Sequence, residues 1–148
     1  MNQHECAEAL IVTLEETLPK LNAIGATESA EARSPGKWSK REILGHLIDS
    51  AANNHHRFIR AQQTARLEFP RYAQDDWVTL QHYNERPWPE LIALWCDYNR
   101  HLAHVMAHFK PDALDTPCVI EYDDPVTVQW LMTDYLDHLN HHLHQIIT

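Results

Sequence analysis

Apolar residues recur at helical spacing in four long segments of this chain, and this periodicity constrains the fold more than any other feature. The clearest segment carries an apolar residue at every third or fourth position: Leu91, Trp95, Tyr98, Leu102, Val105 and Phe109. Such spacing places these side chains on one face of a helix. The 148 residues include only 3 glycines, which disfavours a turn-rich all-β fold. We therefore predict an all-α protein.

Local signals set the helix boundaries. We predict a first helix from Gln3 to Asn22 and a second from the capping box of Ser39 and Glu42 to about residue 63. A third begins near Trp88 and ends before Pro111, and a fourth runs from about Thr127 to the C-terminus. Residues 23–37, 64–87 and 111–125 are predicted connections, with a short extended piece at 118–122. We expect a single domain over residues 1–148, a four-helix bundle with long crossover connections.

Composition excludes several classes of function. The formal net charge is −9, which disfavours nucleic-acid binding because phosphate contacts need a dense basic patch. The polar N-terminus and the absence of a long apolar run predict a cytoplasmic protein that does not bind membranes. The 3 cysteines are far apart, so we expect buried, inert thiols rather than a disulfide framework or a cysteine-rich zinc site.

Histidines supply the main functional signal. His138 and His142 lie four residues apart and point from one face of the fourth helix. His46 in the second helix is a candidate third ligand, because bundle metal sites are built from inward side chains of facing helices. Three protein ligands leave coordination positions open, as catalytic sites require. The spacing alone also fits a solvated, histidine-rich helix end. The rival pair His104 and His108 lies beside the apolar stripe, and we expect it on the surface.

Polar residues follow His46 along the second helix. Asp49, Asn53 and Arg57 continue from His46 at steps of three, four and four, so they are predicted to share one side. Asp49 is a candidate catalytic residue, either orienting a ligand histidine or accepting a proton; a merely polar role stays open. Asn53 and Arg57 are candidate substrate-binding residues, with a structural ion pair as the alternative for Arg57. Of the five tryptophans, Trp38, Trp95 and Trp130 are predicted in the core.

Two motifs resemble a known family. The region of the second predicted helix contains Trp38-Ser39, Glu42, the segment His46 to Ser50, and Arg57-Phe58. This pattern resembles the second-helix signature of the DinB superfamily, and it is closest to the YfiT-like branch of metal-dependent hydrolases. The last-helix pattern of His138 and His142 followed by Gln145-Ile146 resembles that family's second motif. The resemblance implies an antiparallel four-helix bundle, often dimeric, with His46, His138 and His142 holding a divalent metal.

The resemblance also sets the expected function. Relatives include hydrolases and transferases or isomerases that use a low-molecular-weight thiol. We therefore expect a metal-dependent enzyme, a hydrolase or thiol S-transferase acting on a small molecule; the alternative is a non-enzymatic metal-binding or small-molecule-binding bundle. All-imidazole ligation suits zinc or nickel, with iron, copper or manganese also allowed. The third-helix stripe and the family both favour a homodimer.

Overall fold

The computed structural model describes residues 1–148 and is mostly helical. Four long helices are present: α1 (Gln3–Asn22), α3 (Lys40–Ala61), α5 (Trp88–Ala107) and α6 (Val128–Ile147). Shorter helices are α2 (Ala26–Ala30) and α4 (Gln74–Gln81), and single 3₁₀ turns span Tyr83–Glu85 and Pro111–Ala113. The strands are β1 (Leu67–Phe69), β2 (Pro117–Ile120) and β3 (Val126–Thr127). The predicted four-helix bundle is confirmed.

Two of the three consecutive pairs of long helices lie on the diagonals of the bundle. Helix α1 packs against α5 and α6, and α3 also packs against α5 and α6. The pairs α1/α3 and α5/α6 are therefore diagonal, and the connections between them must cross an end of the bundle. This topology makes α3 and α6 neighbours, which is the contact that the predicted histidine cluster requires.

Apolar stripes and local caps account for the four long helices. Thirty-four buried apolar residues form one continuous core, to which α1 contributes Leu10, Leu14 and Leu21, and α5 contributes Leu91 and Trp95. The α3 N-terminus has the predicted capping box, in which the Ser39 hydroxyl accepts from the Glu42 backbone and the Glu42 side chain accepts from the Ser39 backbone. At the α6 N-terminus, the Thr127 hydroxyl accepts a hydrogen bond from the Trp130 backbone N–H.

The connections contain more structure than their sequences indicate. The segment 64–87, predicted without regular structure, contains β1, α4 and a 3₁₀ turn, and 23–37 contains α2. Strand β1 pairs in parallel with β2, and β2 pairs antiparallel with β3. Strand β2 overlaps the predicted extended piece at 118–122. These elements are too short to show periodicity, and pairing between segments fifty residues apart stabilises the sheet.

One tryptophan departs from the expected core position. Trp95 is fully buried and Trp38 is half-buried, but Trp130 is 52 % exposed. Its position on α6 lies one residue before Leu131, which is buried, so the ring projects beside the core-facing stripe rather than into it. The three cysteines are buried as predicted, and His104 and His108 are exposed as predicted. No helix has both the length and the apolar character needed to cross a membrane.

Candidate metal centre

Helices α3 and α6 bring His46, His138 and His142 together. One ring nitrogen from each lies within 4.8 Å of the others, and the Nε2 atoms of His46 and His138 are 3.1 Å apart. The ring centroids of the three pairs are separated by 4.6 to 5.0 Å. His46 is buried, and the other two rings are half-buried. The convergence predicted for these three side chains is therefore present.

The spacing of the nitrogens fits a transition metal. With metal–nitrogen bonds of about 2.1 Å, two ligating nitrogens lie about 3.0 Å apart at a right angle and about 3.4 Å apart at the tetrahedral angle. The observed 3.1 Å falls between these values. Imidazole nitrogens suit zinc, copper, nickel and iron. The donor set and the spacing of the His46–His138 pair therefore fit a divalent transition ion, and the third ring nitrogen lies within 4.8 Å of both. A site with three protein ligands leaves further coordination positions open.

The surroundings keep the three rings neutral, which is the form that binds metals. Burial, followed by the proximity of His138 and His142, lowers the pKa of His46 to about 3. Burial and the neighbouring rings His142 and His141 lower the pKa of His138 to about 4. Burial also lowers the pKa of His142. A cluster of uncharged imidazoles at neutral pH can ligate a cation without first releasing protons.

A glutamine orients one ring of the cluster. His142 Nδ1 donates to Oε1 of Gln145, one turn further along α6, at 2.9 Å. Because an amide oxygen only accepts, this hydrogen bond places the ring proton on Nδ1 and leaves the Nε2 lone pair available. Just before α3 begins, the Trp38 ring lies 5.0 Å from the His46 ring, centroid to centroid. The sequence showed Gln145 only as part of a family motif, without this role.

Asp49 contacts the connection between α3 and α5 rather than a histidine. Its Oδ1 accepts from the Tyr83 hydroxyl at 2.6 Å and from Gln81 Nε2 at 2.7 Å, while its buried Oδ2 has no hydrogen-bond partner. No hydrogen bond joins Asp49 to any of the three histidines, and the buried Nδ1 of His46 is also without a partner. Burial raises the pKa of Asp49, although the hydrogen bonds from Tyr83 and Gln81 oppose this.

The predicted polar line along α3 divides into two sides. Successive residues of a helix are rotated by about 100° around its axis. Viewed along this axis, Asp49 lies about 60° to one side of His46. Ser50 and Asn54 lie about 40° and about 80° to the other side. Asn53 donates to the Asp49 carbonyl at 2.9 Å and is buried, so its amide nitrogen is engaged within the helix. Ser50, Asn54 and Arg57 line a cavity, whereas Asp49 and Asn53 do not.

Two cavities adjoin the histidine cluster. The first, of about 420 Å³, lies between α3, α6, the connection that follows α3 and the connection that precedes α6, and His138 is part of its wall. The second, of about 330 Å³, is lined by His142, Gln145 and Trp38. Ligand sites commonly have volumes of this order. Arg57 lines the first cavity and forms no ion pair, so the structural ion pair weighed for it is not found.

Taken together, these features define a helical bundle with a cluster of three histidines beside a cavity that has polar and charged residues in its wall. A model of the DinB superfamily matches residues 9–146, so the chain belongs to that superfamily. No curated protein sequence gives a significant match.

Two solved structures share the fold. YfiT from Bacillus subtilis, reported as "a probable metal-dependent hydrolase with an unusual four-helix bundle topology", superposes with a TM-score of 0.81 at 19% identity, covering 95% of this chain and 83% of YfiT. A mycothiol-dependent maleylpyruvate isomerase superposes with a TM-score of 0.80 at 11% identity, covering 99% of this chain and 61% of the isomerase. At these identities the likeness establishes the fold.

Proposed function

We propose that this chain is a divalent-metal-dependent enzyme that acts on a small molecule, either as a hydrolase or as an S-transferase of a low-molecular-weight thiol. The observation that supports the proposal is the position of His138, which belongs to the histidine cluster and also lines the 420 Å³ cavity. A cluster next to a cavity leaves room for water, thiol or substrate, whereas a structural site surrounds its ion with protein ligands.

The proposal assigns metal binding to His46, His138 and His142, with zinc or nickel preferred for all-nitrogen ligation. A bound divalent ion supplies Lewis acidity, which lowers the pKa of a coordinated water or thiol towards neutrality. Asp49 is proposed to hold a proton at Oδ2, because that atom is buried and unpartnered. Arg57 is the proposed substrate contact, and Asn54 replaces Asn53 in that role because it lines the cavity.

Metal binding is tested first, by titrating metal-free protein with zinc and with nickel in calorimetry. His142→Ala removes one of three ligands and should weaken affinity by more than about 100-fold, since losing an outer hydrogen-bond partner already costs 10- to 100-fold. His141→Ala is the matched control, because that neighbouring histidine is exposed and outside the cluster. Equal affinities for the two variants would contradict the assignment.

Turnover is tested next with metal-loaded protein. Esters and amides test the hydrolase, and several thiols paired with electrophiles test the transferase. Turnover should require metal and should be lost in His142→Ala but not in His141→Ala. Metal binding without turnover of any of these substrates would overturn the enzymatic proposal in favour of the non-enzymatic binding bundle.

A further inference from the structure

The charges in the 420 Å³ cavity indicate what kind of molecule it binds. Five charged side chains line it: Arg57, Arg71, Asp123, Asp124 and Asp134. Arg71 forms an ion pair with Asp123, and its Nε lies 3.7 Å from Glu121 at the rim. Within the cavity lining, the charges of Arg71 and Asp123 therefore neutralise each other. The other three, Arg57, Asp124 and Asp134, form no ion pair.

Arg57 is a cation that forms no salt bridge, although the charge of Asp134 is near enough to favour its charged form. Its side chain is half-buried, with the guanidinium carbon 5.2 Å from the centroid of the Phe69 ring. Its Nε is buried and donates no hydrogen bond. An arginine remains charged in such a place, so the orphaned donor is an unsatisfied group that a bound carboxylate would satisfy. The planar guanidinium is suited to a carboxylate because it can donate two parallel hydrogen bonds.

Asp134 supplies the opposite charge close to the histidine cluster. It lies four residues before His138 on α6, so the two side chains are one turn apart on the same face, and both line the cavity. Asp134 forms no ion pair within the chain. Asp124 contributes a second unpaired carboxylate from the connection before α6. The cavity thus has one unpaired cation on the α3 side and unpaired carboxylates on the α6 side.

This distribution selects among classes of ligand. A simple anion would match Arg57 but would meet two unpaired carboxylates. A simple amine would match the carboxylates and leave Arg57 unsatisfied. We propose that the cavity binds a small zwitterion of the amino-acid type, with its carboxylate on Arg57 and its ammonium group on Asp134, beside His138. The inference rests on the proposed function only in taking this cavity as the substrate site.

Four linear probes test the charge requirement on metal-loaded protein by calorimetry: L-norleucine, ε-aminocaproate, hexanoate and pentylamine. The first two are zwitterions with close and distant charges, and the other two each lack one charge. At least one zwitterion should bind about 10- to 100-fold more tightly than hexanoate and pentylamine, since each missing charge removes a charge-assisted hydrogen bond. The zwitterion that binds more tightly indicates how far apart the two charges lie in the natural ligand.

Variants assign each charge to a residue. Arg57→Gln should reduce zwitterion affinity to that of pentylamine without weakening pentylamine itself, and Asp134→Asn should reduce it to that of hexanoate. Arg60→Gln is the control for Arg57, because Arg60 lies over the same Phe69 ring, 5.7 Å from its centroid, but outside the cavity lining. Asp137→Asn is the corresponding exposed control on α6.

Three outcomes would overturn the inference: no probe binds, a singly charged probe binds as tightly as both zwitterions, or the control variants lose as much affinity as Arg57→Gln and Asp134→Asn. These outcomes are separable from failure of the proposed function. Metal-dependent turnover without zwitterion binding contradicts only the inference. Zwitterion binding with the expected variant pattern, but no turnover of any substrate, contradicts only the proposed enzymatic activity.

Discussion

Gly45 is the position where one methyl group should disturb the candidate site. A Cβ built on Gly45 would lie closer than 3.0 Å to the Tyr83 ring, which is nearly fully buried. The ring cannot retreat without breaking the 2.6 Å hydrogen bond from its hydroxyl to Asp49. Gly45→Ala therefore forces a choice between overlap and loss of the contact that holds Asp49 next to the connection before α5.

The expected magnitude is the balance of three effects. Replacing glycine by alanine inside a helix stabilises it by about 1 kcal/mol. Overpacking a well-filled core costs about 1–3 kcal/mol, and loss of a hydrogen bond to a charged group costs about 1.5–3 kcal/mol. Because the substitution incurs one of the two costs, about 2–3 kcal/mol, against a gain of about 1 kcal/mol, Gly45→Ala should lower the free energy of unfolding by about 1–2 kcal/mol. Urea denaturation followed by circular dichroism measures this value.

A double-mutant cycle isolates the cause. In a Tyr83→Ala background the obstructing ring is absent, so Gly45→Ala should then stabilise the protein by up to about 1 kcal/mol through helix propensity. The sign of the effect should thus reverse between the two backgrounds. If Gly45→Ala destabilises equally in both, contact with Tyr83 is not the reason, and the argument is refuted.

Three further predictions concern the site and the assembly. Gln145→Leu removes the acceptor that orients His142, so metal affinity should fall about 10- to 100-fold with little change in thermal stability; unchanged affinity would exclude this role. Asp49→Asn should retain metal yet lower turnover about 100- to 10,000-fold, because it removes the proposed proton carrier, and a wild-type rate would remove Asp49 from the mechanism. Light scattering should report a dimer of the 17.3 kDa chain. That prediction now depends on the family alone, because most of the α5 stripe is buried within the chain, and a monomer at every concentration would contradict it.

The sequence alone determined the helices and the histidine cluster because both depend on local regularities. Apolar spacing and caps are properties of neighbouring residues, and they predicted all four long helices with boundaries close to those observed. His138 and His142 share a face through the helical repeat alone. His46 was added because metal sites in bundles use inward side chains of facing helices, and the family resemblance implied a metal-binding histidine at this position. The elements in 64–87 were missed, since a three-residue strand and an eight-residue helix are too short for such periodicity.

Only the tertiary structure decided which polar side chains face the cavity. Residue spacing gives the angle between two side chains on a helix, but packing of the helix against its neighbours sets the direction of both. Asp49 and Ser50 are adjacent in sequence, yet Asp49 turns to Tyr83 and Gln81 while Ser50 faces the cavity. The unpaired state of Arg57 is likewise invisible in the sequence, because it depends on where every acidic group of the folded chain comes to lie.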